Sequence, residues 1–219
     1  MRRWVLPTIG AVVAIFIVVP VVLRVFFFSP YRIPSASMEP TFPVGVTFFV
    51  SKRSTPARGE VAVFRYPEDP NQEFIKRVIA FPGETVEVVG GKITINGWSV
   101  PSCALGPFTY DEMDGTHHSG TLEVEFLGDV SYLVFFDATG VSAHEGPWTV
   151  KPHEAWVMGD NRYNSHDSRQ WFGGLGGGVP EANVEGKALA GNQASLPASS
   201  PNAAKLAACL AARPSKTVP

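Results

Sequence analysis

The pattern of apolar and polar positions divides the chain into three stretches. Residues 4–23 carry no charged side chain and consist almost wholly of Val, Ile, Ala, Leu and Phe, a run of the roughly 20 residues that a helix needs to cross a hydrocarbon core. The pattern predicts one transmembrane helix over residues 4–24, with residues 1–3 before it and Arg24 at the far interface. Pro7 falls at the start, where a missing amide proton does no harm, and Pro20 near the end, where a kink is tolerated. A cleaved signal peptide is the competing reading of Met-Arg-Arg and its apolar sequel, but the run is too long for an h-region and no Ala-x-Ala comes after it. Past residue 40 the pattern changes to short apolar runs punctuated by Gly and Pro: 46–50, 60–66, 74–80, 85–89 and 92–95. These predict strands. Gly90-Gly91 and Asn96-Gly97 are two-residue hairpin signals between and after the last two runs. Residues 99–147 are rich in turn formers yet hold two apolar runs, 122–126 and 131–136, separated by Leu-Gly-Asp, which predicts a second hairpin or small β lobe. No 3.6-residue apolar period appears after residue 30 until 203–212, so the expectation is a mainly β fold. Residues 193–219, rich in Ala, Ser, Pro and Asn, are expected to be poorly ordered, with a helix-prone patch too short to span a membrane.

Composition narrows the function classes. The 219 residues, 45% hydrophobic, suffice for one medium domain plus an anchor. With 18 basic against 20 acidic residues, the chain has no electrostatic footprint for a phosphate backbone, and nucleic acid is not an expected partner. Cys103 and Cys209 are the two cysteines and form no C-x-x-C pair, so a zinc site is not supported, and their pairing stays open. No metal or cofactor is called for. Arg2 and Arg3 are balanced by Arg24, Arg32, Lys52 and Arg53 across the apolar run, which leaves its orientation open on charge alone.

Three polar segments carry the candidate chemistry. In residues 34–41, Pro-Ser-Ala-Ser-Met-Glu-Pro-Thr, two prolines bracket small residues, a geometry suited to an approachable serine nucleophile; a serine-rich loop joining an anchor to its domain has the same composition. In residues 74–79, Phe-Ile-Lys-Arg-Val-Ile, period-two alternation puts Lys76 on one face with Phe74 and Val78, and Arg77 on the other with Ile75 and Ile79. A lysine on a buried apolar face must be paired or neutral, and a neutral amine can take a serine proton; a lysine snorkelling from a sheet edge is the alternative. The third segment, residues 157–169, is an apolar strand end running into a dense polar loop. Ser165 could hold the lysine amine there, with Asp167 bracing the loop through Arg162 or Arg169; an Asx-rich turn reads the same way.

In order along the chain, the anchor, Tyr31-Arg-Ile-Pro-Ser-Ala-Ser-Met-Glu-Pro-Thr-Phe, Arg58-Gly-Glu-Val-Ala-Val-Phe, Phe74-Ile-Lys-Arg-Val-Ile-Ala-Phe-Pro-Gly-Glu, Met158-Gly-Asp-Asn-Arg-Tyr-Asn-Ser-His-Asp-Ser-Arg and Val179-Pro-Glu-Ala-Asn-Val-Glu-Gly-Lys-Ala resemble the bacterial type I signal peptidases, membrane-anchored Ser/Lys endopeptidases. The resemblance implies a fold of coiled antiparallel β-sheets, with a catalytic β domain over 30–98 and 148–192 and a small inserted β lobe over 99–147. It implies cleavage of signal peptides from exported preproteins after small residues of the Ala-x-Ala type. Ser37 would be the nucleophile, Lys76 the general base, and Ser35 with the Ser37 backbone amide the oxyanion hole. Ser165, Asp167, Arg169 and Arg77 would support them, Ser165 by orienting the lysine. Tyr31, Ile33, Phe42, Phe74 and Ile75 would line shallow apolar substrate pockets. The resemblance places the domain outside the bacterial inner membrane, N-terminus in the cytoplasm, with the lipid bilayer, signal peptides and export machinery as partners. Tyr163 stands where many relatives carry Asp, and Gly173–Gly178 with intervening Leu175 enlarge the next loop. His166 beside Asp167 is expected to be a loop residue, because sequence neighbours rarely face each other as a catalytic pair. The rival from another class is a noncatalytic, membrane-tethered β domain that binds an envelope partner; a cytoplasmic Ser/Lys autoprotease is disfavoured by the anchor.

Overall fold

The structure, a computed structural model, describes residues 16, 18, 27–140 and 143–219. The predicted anchor over 4–24 therefore lies outside the described residues, apart from positions 16 and 18; among the described residues, no helix is long and apolar enough to cross a membrane. From residue 27 onward the chain is mainly β. Fourteen strands form in chain order: β1 Phe28–Arg32, β2 Thr47–Ser51, β3 Val61–Arg65, β4 Glu73–Ala80, β5 Thr85–Val89, β6 Lys92–Ile95, β7 Trp98–Ser99, β8 Ser102–Asp111, β9 His117–Leu127, β10 Val130–Asp137, β11 His144–Thr149, β12 Glu154–Met158, β13 Val179–Pro180 and β14 Val184–Ala188. Among residues 27–219 that are described, one α-helix, α1, spans Ala203–Ala211.

The strands make a seven-stranded sheet in the order β1-β2-β14-β3-β4-β12-β13, a four-stranded sheet β11-β5-β6-β7, and a three-stranded sheet β10-β9-β8, all with antiparallel neighbours. Local turn chemistry sets much of this register. Gly90 and Gly91 (φ +57° and +73°) close the β5–β6 hairpin, and Asn96 and Gly97 (φ +51° and +76°) close β6–β7, each with the two positive φ angles that a type I′ turn requires. Gly91 is also a point of close approach: a Cβ there would lie 2.8 Å from the Phe136 ring and 3.1 Å from Arg162 Cβ. The expected hairpin across Leu-Gly-Asp forms as β9 and β10, with Leu127 opposite Val130.

β4 is the axis of the molecule. Six of its eight positions are buried, so both of its faces are covered. Ile75 joins Ile33, Met38, Phe42, Val61 and Val63 in one core, Val78 joins Phe64, Val157 and Trp171 in a second, and Ile79 faces Val86, Ile95, Tyr132 and Trp156 in a third. This double burial takes Lys76 and Arg77 out of solvent together.

The C-terminal stretch departs from its expectation of poor order. Leu206 and Cys209, three residues apart and hence on one side of α1, are buried against Leu105, Leu122, Val124, Phe126 and Leu133 of the three-stranded sheet. Asn202 Nδ2 donates to the Pro107 carbonyl at 2.8 Å, and Cys103 and Cys209 form a disulfide. An Ala- and Ser-rich composition hid a two-residue apolar stripe, which lies on the sheet and is tied to it by the disulfide.

Candidate active site

Ser37 sits in a single 3-10 turn, Ala36–Met38, entered from extended Ser35 (φ −138°, ψ 158°). Pro34 biases Ile33 towards extended backbone, and Met38, fully buried, pins the turn into the core. Lys76 reaches this turn from β4: its Nζ lies 2.7 Å from Ser37 Oγ and 2.9 Å from the Ile75 carbonyl. Both residues are buried, Lys76 at 4% and Ser37 at 7% exposure. Burial pushes the Lys76 pKa down from 10.5 to about 8; Asp167 and Asp160 act to raise it, and Arg169 adds to the lowering. When the amine is neutral its lone pair accepts the Ser37 hydroxyl proton, while an N–H still reaches the Ile75 carbonyl. Ser35 Oγ stands 3.3 Å from Ser37 Oγ, on the same small turn as the Ser37 amide.

Among the supporting residues, Asp167 pairs with Arg169, one of its two expected partners, while Ser165 and Arg162 take other partners. Ser165 Oγ donates to Asp167 Oδ2 at 2.7 Å, and no hydrogen bond joins it to Lys76 among the described residues. Its hydroxyl is taken up by that carboxylate, and Gly159 lies between Ser165 and the Ser37 turn: a Cβ on Gly159 would strike both Ser165 and, at 2.5 Å, the Ser37 carbonyl. Asp167 is braced by Arg169 (Nε 2.8 Å, Nη2 3.0 Å) and by the Gly159 amide at 2.9 Å. Burial works to raise its pKa, but Arg169 and these hydrogen bonds hold it below the ordinary carboxylate value. Arg162 does not brace Asp167; it makes a two-pronged pair with Glu125 of β9 at 2.8 and 2.6 Å and donates to the Gly91 carbonyl at 2.7 Å. Tyr163 packs on Phe136 instead of answering a charge. Arg77 pairs with Asp160 at 2.8 and 2.5 Å, lies 4.0 Å over the Tyr132 ring, and donates to the Gly59 carbonyl at 2.6 Å.

Of the residues expected to line substrate pockets, Tyr31, Ile33, Phe42 and Ile75 gather in one cluster around Phe48. Phe74, next along β4, points to the opposite face and stacks on Tyr66 at 4.4 Å, with the Lys76 amine 5.4 Å from its ring. A cleft of about 700 Å³ opens over the dyad, lined by Ser35, Ser37, Glu73–Lys76, Glu112, Asn164 and His166. Along it, residues 73–76 have no strand partner on the β12 side among the described residues, because pairing with β12 begins at Arg77. His166 stands exposed in the cleft wall, held by Tyr66 at 2.9 Å, and makes no hydrogen bond to Ser37 or Lys76 among the described residues.

Sequence reasoning gave no role to Asn161, Tyr110 or Glu112. Asn161 donates from Nδ2 to the Ala36 carbonyl at 3.2 Å and from its backbone to the Ser37 carbonyl at 3.2 Å. It lies within the Met158–Arg169 motif, which is the signal that could have found it. Tyr110 and Glu112 fall in a turn-rich stretch that carries no signal of its own.

A family model for signal peptidase, peptidase S26, matches residues 1–191. A signal peptidase I of Pseudomonas fluorescens is 39% identical over 192 residues, covering 77% of this chain and 66% of that protein. One from Aquifex aeolicus is 35% identical over 213 residues, covering 81% of each. A solved signal peptidase I from Enterococcus faecalis aligns with 27% identity and a TM-score of 0.35, covering 61% of this chain and 97% of that one. The chain thus spans slightly under two thirds of the Pseudomonas relative.

Proposed function

The chain belongs to the signal peptidase, peptidase S26 family, and on that premise we propose that it is a serine endopeptidase that removes signal peptides from exported preproteins by a Ser37/Lys76 dyad. The observation that carries the reading is the 2.7 Å approach of a buried lysine amine to a buried serine hydroxyl, with a lysine pKa near 8. At pH 7 a group of pKa about 8 is neutral about a tenth of the time, against about one part in three thousand at its ordinary value. That difference turns an inert ammonium into a usable base.

Neutral Lys76 takes the Ser37 proton as Oγ attacks the scissile carbonyl. The Ser37 amide and the Ser35 hydroxyl donate to the oxyanion, the lysine ammonium gives its proton to the leaving amine, and water then hydrolyses the acyl-enzyme. The unpaired edge at Glu73–Lys76 can accept an extended peptide as an added strand. The apolar part of the cleft wall beside Ser37 comes from Ala36, Phe74 and Ile75, and a shallow apolar wall of this kind suits an Ala-x-Ala rule.

The same reading sets the domain at a membrane surface outside the cytoplasm, near the export machinery. An apolar groove on the β1–β2 face is lined by Phe28, Phe48, Phe49, Val46 and Leu189. Phe49, Leu189 and Val46 are 57%, 52% and 42% exposed, and β1 comes directly after the sequence expected to anchor the chain. A lipid surface would cover that face.

The test is cleavage of a preprotein carrying an Ala-x-Ala site by the detergent-solubilised chain, with Ser37→Ala and Lys76→Ala beside it. Product from the wild type alone supports the dyad and the substrate class together. Equal product from either variant, or none from a folded wild type, overturns the reading.

A further inference from the structure

We propose that Tyr110, delivered by the three-stranded sheet, is a positioning residue that aims the Ser37 backbone amide at the oxyanion. The inference rests on the peptidase reading above and extends it to a residue outside every segment that suggested that reading.

The peptide unit between Ala36 and Ser37 is planar and trans, so fixing its carbonyl oxygen on one side fixes the direction of the Ser37 N–H on the other. The Ala36 carbonyl accepts two hydrogen bonds, one from the Glu39 N–H at 3.0 Å that closes the 3-10 turn and one from Asn161 Nδ2 at 3.2 Å. A carboxamide NH₂ has two hydrogens, and the second goes to Tyr110 Oη at 2.8 Å. Asn161 Oδ1 has no partner among the described residues although it is buried. The plane of the carboxamide is therefore set by those two donated bonds. Removing the Tyr110 hydroxyl frees the Asn161 side chain to rotate and leaves the Ala36 carbonyl held by the Glu39 N–H alone, with one of its two directional restraints gone.

Tyr110 is itself well placed to act as a fixed point. Its ring stacks on His118 at 4.7 Å and 9° and meets Phe135 edge-on at 5.4 Å. Phe135 clamps the backbone on either side of Asn161, donating its N–H to the Asp160 carbonyl and accepting from the Arg162 N–H, both at 2.9 Å. β8, which carries Tyr110 near one end, is stapled near the other by Cys103–Cys209 and held in the middle by Asn202. The sheet thus grips the Asp160–Arg162 segment by both backbone and side chain, and that segment grips the Ser37 turn.

The experiment compares Tyr110→Phe with wild type on the same preprotein. The phenylalanine keeps both ring contacts and deletes one hydroxyl. The expected result is a fall in kcat of about tenfold, a fraction of the hundredfold or more lost with an entire oxyanion donor, with KM within about twofold and the thermal transition unmoved. A peptide aldehyde, whose adduct with Ser37 places an oxyanion in the hole, should bind more weakly by the same factor. An unchanged kcat in Tyr110→Phe beside an active wild type, or a loss confined to KM, overturns this inference and leaves the peptidase reading standing. A wild type that yields no product overturns both.

Discussion

Replacing Lys76 by Met should stabilise the protein most at neutral pH and progressively less as the solution becomes alkaline. The folded state holds Lys76 at a pKa of about 8 because burial penalises its charge, whereas the unfolded chain restores the ordinary 10.5. Between those values the unfolded chain binds a proton that the folded one has lost, so the Lys76 contribution to stability rises with pH there and is flat on either side. Below pH 8 the buried ammonium costs about 3 kcal/mol, from a shift of about two and a half units at 1.36 kcal/mol each. At pH 10 about 1 kcal/mol of that cost remains. Methionine has similar length and no charge, so its packing and the lost bond to Ser37 add an offset that does not depend on pH. The advantage of Lys76→Met over wild type should therefore shrink by about 2 kcal/mol between pH 7 and pH 10. Urea unfolding monitored by tryptophan fluorescence reads this, since Trp156 and Trp171 are 1% and 0% exposed. The tyrosines that titrate at high pH are common to both proteins and cancel in the difference. Stability curves that stay parallel to within about 0.5 kcal/mol would refute the depressed lysine and remove the physical basis for its role as a base at neutral pH.

The rate of cleavage should rise with pH through a single limb near 8, the Lys76 value; a kcat/KM profile with its limb near 6.5 would point to a histidine instead. Ser35→Ala, which removes the hydroxyl 3.3 Å from Ser37 Oγ, should lower kcat by roughly a hundredfold without abolishing it; single-turnover rates equal to wild type would exclude Ser35 from the oxyanion hole. Joint replacement of Cys103 and Cys209 by Ala opens a loop with a sequence separation of 106 and should cost on the order of 4 kcal/mol. A urea midpoint unchanged from the oxidised wild type would show that α1 is held by its apolar contacts alone.

What could be read from the sequence was what neighbours in sequence determine. Gly90-Gly91 and Asn96-Gly97 set their hairpins through backbone angles that few other residue pairs adopt, and the runs at 85–89 and 92–95 end where β5 and β6 end. The alternation around Lys76 exposed a lysine that had to be paired or neutral, and the structure places it against a serine. Partner choice was less legible wherever two suitable groups competed. Ser165 has Asp167 two residues away, and its hydroxyl donates to that carboxylate. Arg162 had Asp167 close in sequence, yet it pairs with Glu125, 37 residues back, because Arg169 already fills the nearer carboxylate. Tyr110 and Asn161 are 51 residues apart, and nothing local to either announces the other. The burial of α1 likewise depends on a sheet formed about a hundred residues earlier.

These long-range pairs have a common consequence for the dyad. A buried ion pair contributes little net stability, because desolvation offsets its attraction, so Arg77–Asp160 and Arg169–Asp167 are better understood through what they align. Arg77 is the residue after Lys76 on β4, and Asp160 is the residue before Asn161, whose amide and side chain hold the carbonyls of Ser37 and Ala36. One salt bridge therefore ties the strand that carries Lys76, the proposed base, to the segment that steers Ser37, the proposed nucleophile. Asp167 closes the same circuit from the other side, since it fixes the Gly159 amide while Gly159 abuts the Ser37 carbonyl. Exchanging Arg77 and Asp160 together for apolar residues of matching volume should leave the fold nearly as stable, yet the two reacting atoms would then be placed by packing alone. A displacement of about 1 Å at such a site is enough to cost on the order of a hundredfold in rate. The two charges act on geometry, since they bring two separately delivered side chains into register.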